Sequence, residues 1–346
     1  MLSKQLEGVF LSNKNPFADI IGQETAKQNV KSALLMNRHI IIVGPPGIGK
    51  TTLARNIARL LPDMDIIEGC SYHCTTQNPM CPSCRQKTSH KTAKLAGIKR
   101  FVRIQGSPDL TVEDLLGDID PIKALKLGPQ SVEAFTPGKI FKANNGILFF
   151  DELNRCPEKL QNALLQVLEE GKATIGSYDV DFDIDFIFIS TMNPEDASTE
   201  RLSDVLLDRF DVVYMGYPES LDCEKEIIVS KGKKVANVSW EMLNLIAYFI
   251  RLLRSDEKLE KKPSVRASIG LYERSQSNAI LNGRKNVEFD DVKDVLASVL
   301  SHRIRLKPSV RYLESVENYI KDQFHKNIET AKWNNQLEDE KAGDYR

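Results

Sequence analysis

The chain has 346 residues, with 47 Lys+Arg against 48 Asp+Glu and a formal net charge of −1. This near-neutral balance excludes a protein that meets nucleic acid or a membrane through its overall field. Hydrophobic residues make up 41% and charged residues 27%, which excludes a disordered chain, and the length fits two domains. Uninterrupted apolar runs such as Ile40 to Val43 and Ile147 to Phe150 fall well short of the ~18 residues that span a bilayer. Met1-Leu2-Ser3-Lys4-Gln5-Leu6-Glu7 lacks the basic-then-apolar layout of a signal peptide, so a cytoplasmic location with reduced thiols is expected.

Asn15 to Lys31 mixes helical periodicity with caps, and Arg38 to Val43 reads as a short buried strand that runs into glycine-rich sequence. A helix follows over Lys50 to Leu61, stopped by Pro62. Gly69 to Pro108 holds four cysteines and seven Lys/Arg but no acid, a local bias hidden by the neutral total. Phe101 to Ile104, Gly146 to Phe150 and Phe186 to Ile189 read as further strands, the last after a hairpin-like Thr174 to Asp185. Pro157 to Glu170 carries the Leu160/Leu164/Leu165/Leu168 spacing of an amphipathic helix. Strands alternating with helices predict a parallel sheet. After Tyr217-Pro218 strand signals stop, and Trp240 to Leu253, Val265 to Leu281 and Asp290 to Leu300 predict a second, all-helical domain. Arg311 to Arg346 reads as a helix and then a loose, polar tail.

Gly44-Pro45-Pro46-Gly47-Ile48-Gly49-Lys50-Thr51 fits the phosphate-binding pattern G-x-x-x-x-G-K-[ST] and lies between a strand and a helix, where that chemistry requires it. Glycines there let backbone N–H groups converge on phosphate oxygens, and the helix N-terminus adds partial positive charge. Lys50 is placed to reach the β and γ phosphates and Thr51 to ligate Mg²⁺, with Thr52 beside it. The strand Gly146 to Phe150 ends in Asp151-Glu152. Such a pair is ordinarily a solvated strand end, but behind a phosphate loop Asp151 is expected at the metal and Glu152 at the attacking water. Phe186 to Ile189 runs into Ser190-Thr191-Met192-Asn193-Pro194, which places Asn193 at the sheet edge where ligands of open α/β sheets bind.

These elements, followed by Leu206-Leu207-Asp208-Arg209-Phe210-Asp211, resemble AAA+ ATPases. Ala143 to Glu152 and Leu206 to Phe210 are similar to the magnesium-chelatase ATPase subunit. Asp151-Glu152-Leu153-Asn154-Arg155 followed by Leu160 to Leu165 looks like the MoxR group, and Val265-Arg266-Ala267-Ser268 resembles the Arg-Ala motif of both. The resemblance spans roughly Pro16 to Pro308. It implies an α/β fold: an AAA+ αβα core over residues 1–216, a helical lid over 217–310 and a tail over 311–346. It further implies a homo-oligomeric ring, usually hexameric, with ATP bound between subunits. By the resemblance Lys50, Thr51, Asp151, Glu152 and Asn193 match Walker A, Walker B and sensor 1. Arg209 matches the finger that reaches a neighbour's γ-phosphate, Arg266 matches sensor 2, and Ile20-Ile21-Gly22-Gln23 matches the segment that cradles adenine, with Ile21 within it.

Chelatase subunits carry an arginine shortly before the Leu-Leu-Asp-Arg-Phe motif, where this chain has Ser203, with Arg201 two positions earlier; Pro194 to Asp204 follows neither branch. Arg155 reads either as a residue facing an adjacent subunit or as a solvated charge at a helix start. Two inserts account for the distance between the phosphate loop and Asp151: Gly69 to Lys99, and Leu116 to Gly138, with Lys123, Lys126 and Lys139 in or beside it. Cys70, Cys74, Cys81 and Cys84 form C-x3-C-x6-C-x2-C. Four thiolates suit tetrahedral Zn²⁺ in an insert too small for its own core, with an iron–sulfur cluster and free thiols as alternatives. His73 and His90 could replace one cysteine, while Cys156 and Cys223 read as packing residues.

The expected function is a ring-forming ATP hydrolase, using ATP and Mg²⁺, that remodels a client protein, in these branches often one with a von Willebrand factor A domain. The alternatives are the motor subunit of a magnesium chelatase and a DNA-stimulated motor or loader. Neither a membrane nor nucleic acid is the expected partner.

Overall fold

The structure, a computed structural model, describes residues 2–12, 15–128, 131–175, 180–194 and 202–329. Contacts divide the chain into two compact units. One runs through Met215 but omits residues 45–48; the other takes up at Gly216 and includes Pro45–Ile48.

The first unit is built on a five-stranded sheet: β1 (His39–Val43), β2 (Phe101–Gln105), β3 (Gly146–Asp151), β4 (Phe186–Met192) and β5 (Phe210–Tyr214). Every pairing is parallel, and the strands lie in the order β5-β1-β4-β3-β2. Ile40–Val43, Ile147–Phe150 and Phe186–Ile189 are buried along their whole length, as strands covered on both faces must be. With its helices the sheet makes the αβα layering of an AAA+ core. Helices α1 (Leu2–Leu11), α2 (Glu24–Leu35) and α3 (Lys50–Leu60) precede and follow β1, and α4 (Pro121–Leu127) and α5 (Glu158–Glu170) flank β3 in sequence. Helix α1 is absent from the sequence reading; it buries Leu2 and Leu6, and Gln5 Oε1 accepts from Arg100 Nη2 at 3.1 Å. Between Asn15 and Gln23, where helical periodicity is read, the chain turns through Phe17–Ile20, and Gly22 and Gln23 both take left-handed dihedrals before α2 begins.

Both inserts are hairpin-based. Met64–Ile67 pairs antiparallel with Thr92–Leu95 and carries the cysteines at its tip, and Gly117–Ile119 pairs with Phe135–Pro137 around α4. The stretch before β4 is a hairpin too, Lys172–Ile175 against Val180–Asp183. Arg100 is fully buried; its Nε and Nη2 donate to Asn145 O and its Nη1 to Pro62 O at 2.9 Å. Carbonyl acceptors thus satisfy a buried guanidinium.

The second unit holds α6 (Leu221–Lys231), α7 (Trp240–Ser255), α8 (Val265–Leu281), α9 (Phe289–Leu300) and α10 (Val316–Phe324). Ser220, Ser239 and Ser315 cap three of them through Cys223 N, Met242 N and Asn318 N at 3.1, 3.2 and 3.2 Å. The all-helical expectation needs one correction: Leu259–Lys261 and Arg305–Leu306 form a short antiparallel ribbon. Within this unit Glu224 is fully buried and held bidentately by Arg254, at 2.5 and 2.9 Å, with Ser268 Oγ donating to the same carboxylate. The tail beyond Glu329 lies outside the described residues, as does Arg201.

Candidate active site

Three strand ends build the site, and the sheet order makes them neighbours. β4 lies between β1 and β3, so the loops after β1, β3 and β4 leave the same edge side by side. Gly47 and Gly49 take φ of 77° and 99° in the loop after β1, dihedrals that favour glycine and turn backbone N–H groups inward. Lys50 Nζ donates to Gly44 O at 2.5 Å, folding the ammonium across the loop. Thr51 and Thr52 open α3. Ile20 Cδ1 lies 3.4 Å from where a Cβ on Gly49 would stand, so buried Ile20 backs the loop while Ile21 is half-buried beside it.

Asp151 closes β3, and its carboxylate is shared. Oδ1 accepts from Thr191 Oγ1 at 2.6 Å, and Oδ2 accepts from Arg103 Nη2 at 2.6 Å and Thr51 Oγ1 at 3.4 Å. Thr191, buried on β4, also accepts the backbone N–H of Glu152 at 2.9 Å. The register explains this: Ser190 pairs with Phe150, so Thr191 comes level with Asp151, and Gln105 of β2 pairs with Asp151 from the other side. Glu152 sits in the left-handed region at φ 58°. Its carboxylate accepts from Gln105 Nε2 at 3.0 Å and pairs with Arg155 at 3.1 Å. Behind it, a Cβ on Gly106 would stand 2.1 Å from Glu152 O, so only glycine lets the chain pass after β2.

The Thr51 hydroxyl and the Asp151 carboxylate are hard oxygen donors converging on one point, which fits Mg²⁺. Asn193 follows β4, and its carbonyl accepts from Asn154 Nδ2 at 3.5 Å. Arg209 Nη2 donates to Glu169 on α5. Ser203 caps the short helix Asp204–Leu207 by accepting from Leu206 N at 3.2 Å. In the second unit, which includes Gly47, the Arg266 Cγ lies 3.1 Å from where a Gly47 Cβ would stand. Arg303 shares that neighbourhood: burial and the nearby Arg266 charge hold its guanidinium below the ordinary arginine value. Thus Thr191 links Asp151 to Glu152 and Thr51 bonds Asp151 directly, whereas Arg209 is engaged with Glu169. Thr191, Arg103, Gln105 and Arg303 are additions of the structure. Thr191 carries a sequence signal, a buried-strand run ending in polar residues; the others carry none.

The four sulfurs of Cys70, Cys74, Cys81 and Cys84 lie within 4.8 Å of one another, three of the residues buried and Cys70 half-buried. Burial pushes the Cys84 thiol up to about 11, and the neighbouring Cys70 sulfur pushes Cys81 up to about 12.

Residues 16–95 match the family described as "Magnesium chelatase, subunit ChlI", residues 81–212 "ATPase family associated with various cellular activities (AAA)", and residues 252–320 "AAA lid domain". The chain is 30% identical over 348 aligned residues to the magnesium-chelatase subunit ChlI homolog of Methanocaldococcus jannaschii, covering 90% of this chain and 93% of that one. It is 28% identical to the chloroplastic magnesium-chelatase subunit ChlI-2 of Arabidopsis thaliana, covering 88% and 78%. Among solved structures it resembles in fold the complex between BchI and BchD of magnesium chelatase, at 23% identity and a TM-score of 0.50 over 88% of this chain and 98% of that one. The similarity to the M. jannaschii relative runs nearly end to end in both proteins, and the strand order brings a phosphate loop, an acid pair and a polar strand end to one edge. The chain belongs to the ChlI family of AAA+ ATPases, enzymes that use Mg²⁺ to hydrolyse ATP.

Proposed function

We propose that this chain is the ATPase motor subunit of a metal-chelatase assembly, working as a ring, hexameric by resemblance, in the cytoplasm. The observation that carries the reading is its near end-to-end similarity to a chelatase-subunit homolog, 90% of this chain against 93% of the relative. Its partner in the assembly is a second subunit, with a von Willebrand factor A domain as its expected module. Its cofactors are ATP and Mg²⁺, with a structural Zn²⁺ in the cysteine-bearing insert.

In this reading Gly44, Pro45, Pro46, Gly47, Ile48 and Gly49 wrap the phosphates, and Lys50 exchanges Gly44 O for the β and γ oxygens. Thr51 and Asp151 would hold Mg²⁺, which when bound would supply charge neutralisation at the phosphates. Glu152 takes the proton of the attacking water, and Asn193 orients that water. For Glu152 to act, its carboxylate gives up Gln105 or Arg155, both half-exposed contacts that cost little to break. Arg209 serves the neighbouring subunit's phosphate, where its planar fork matches the developing charge. Arg266 serves from the lid.

The sequence leads to a MoxR-like remodeller as its main expectation, on Asn154 and Arg155, with the chelatase motor as the alternative that the similarity supports better. Asn154 is buried and bonded to Asn193 O, and Arg155 pairs with Glu152. Arg155 is thus engaged within the chain, while Asn154 has one long bond and a buried Oδ1 without a hydrogen-bond partner among the described residues, so neither residue singles out a remodeller, and the similarity carries the chelatase reading. The test is to add the chain to a magnesium chelatase lacking its own ATPase subunit and follow metal insertion into a tetrapyrrole by fluorescence. ATP-dependent insertion that Glu152→Gln abolishes is expected; ATP turnover without insertion would contradict the assignment.

A further inference from the structure

The nucleotide site accounts for the strand ends and leaves the tip of the first insert without a role in hydrolysis. Residues 68–91 lie between the paired strands Met64–Ile67 and Thr92–Leu95, and they contain few apolar side chains of their own. A loop of this kind needs a cross-link to repay its ordering entropy.

We propose that Cys70, Cys74, Cys81 and Cys84 hold one Zn²⁺ that cross-links the tip of this insert. The proposal deepens the cofactor reading given above and rests on the sulfur geometry, apart from the client that the motor serves. In a tetrahedral ZnS4 centre with Zn–S bonds of ~2.3 Å, neighbouring sulfurs are about 3.8 Å apart. Cys70 Sγ and Cys81 Sγ are 3.8 Å apart, and all four sulfurs fall within 4.8 Å. This is far longer than the ~2.05 Å of a disulfide. It is too tight for a cluster of two or four irons, whose metals and inorganic sulfides must fit between the ligand sulfurs. A single soft-ligand tetrahedral ion fits this spacing, and Zn²⁺ suits it; four free thiols are the competing arrangement that the thiol titration below distinguishes.

The surrounding backbone is arranged as for a ligand set. Cys74 Sγ accepts two backbone N–H groups, from Met80 at 3.1 Å and Cys81 at 3.3 Å, the bonds that favour a thiolate. Cys81 and Cys84 straddle the first turn of the short helix Pro82–Arg85, with Arg85 and Cys84 N–H both donating to Cys81 O. No acid lies between Gly69 and Pro108, and in the cleft beside the cysteines Glu68 and Glu133 are accompanied by Lys87 and Lys123.

The loop that carries the four cysteines meets the core through Tyr72, by its ring and by its carbonyl. Tyr72 packs edge-on against Phe141 and stacks on Phe182, at centroid distances of 5.2 and 5.8 Å. Buried Asn144 donates to Tyr72 O at 3.2 Å and accepts from Asp185 N at 3.2 Å, linking the insert to the starts of β3 and β4. The same loop walls a cleft of about 590 Å³ against the second insert, opposite Lys123, Leu127 and Phe135.

The experiment measures metal in the full chain by elemental analysis. It then titrates the thiols with an organomercurial against a chromogenic zinc indicator, and adds Co²⁺ to the stripped chain. About one Zn²⁺ per chain, released as four thiols react, and intense thiolate-to-cobalt absorption are expected. Cys81→Ser with Cys84→Ser should lower bound zinc at least about tenfold and open residues 68–91 to proteolysis, while Cys223→Ser keeps the metal. A chain with no zinc that takes up no cobalt, or one containing iron with acid-labile sulfide, would overturn the proposal. If the double variant fails to fold, the thiol titration of the unaltered chain still decides. Metal content is read without nucleotide, so a failure of the ATPase reading would not imitate a failure here.

Discussion

Asp151 carries more partners than a metal-binding carboxylate needs. Thr191 fixes one oxygen from a buried position, while half-exposed Arg103 holds the other at 2.6 Å, facing Thr51. An ion pair this open to solvent is worth roughly 0.2–1 kcal/mol, so Mg²⁺ can displace it, but only in competition. Arg103→Ala should therefore lower the Mg²⁺ concentration that half-saturates ATP hydrolysis by about two- to fivefold; an unchanged or higher requirement would assign Arg103 to phosphate binding instead. The loop residues, Asp151 and Glu152 were legible because their spacing is local and their chemistry specific. Arg103 and Gln105 were not, since nothing local reveals that β2 flanks β3 or that Gln105 comes level with Asp151. Arg303, too, nears Arg266 only through folding.

Elements whose buried faces are apolar and regularly spaced were the legible ones. Strands β1 to β4 and helices α3, α5, α7, α8 and α9 all lie within a few residues of where periodicity places them, whereas β5 is not among the strands read from the sequence. Helix α6 defeats that reading because its buried side includes Glu224 and Lys225, the first satisfied by Arg254 and the second lying 3.9 Å over the Trp240 ring. Helix α1 is read poorly for a related reason: part of its anchoring is Gln5 on the buried Arg100 guanidinium, which hydrophobic spacing does not register. On β1 a further polar group matters. His39 Nδ1 accepts from Phe188 N at 3.1 Å, and burial, with the Arg38 charge beside it, lowers its pKa to about 4. Protonating Nδ1 would remove that acceptor. Because the folded value lies below the unfolded one of ~6.5, the unfolded chain binds the extra proton, so this contribution is complete above about pH 6.5 and is lost as pH falls toward about 4. The urea midpoint should drop between pH 7 and pH 5, and less steeply in His39→Gln. Equal slopes in the two proteins would remove His39 from the account.

For the whole molecule, the sequence made the class of machine plain and left its branch open. The Asn154-Arg155 pair drew the reading toward a remodeller, yet neither side chain singles one out, and overall similarity points to the chelatase family. In the proposed reading Arg209 is the residue whose role extends beyond one chain. Its guanidinium rests on Glu169, in a pair 48% and 36% exposed. Solvent screens such a contact to at most about 1 kcal/mol, which leaves Arg209 available to a neighbour's phosphate once subunits assemble. The departure at Ser203 fits the same picture, since that position caps a helix and adds no second arginine. Hydrolysis at a site completed in trans must depend on assembly. The most direct test measures ATPase rate and mass by light scattering together, across protein concentration with ATP and Mg²⁺. Specific activity that rises as mass grows from monomer to ring is the predicted result, and an equal rate from monomers at every concentration would contradict it.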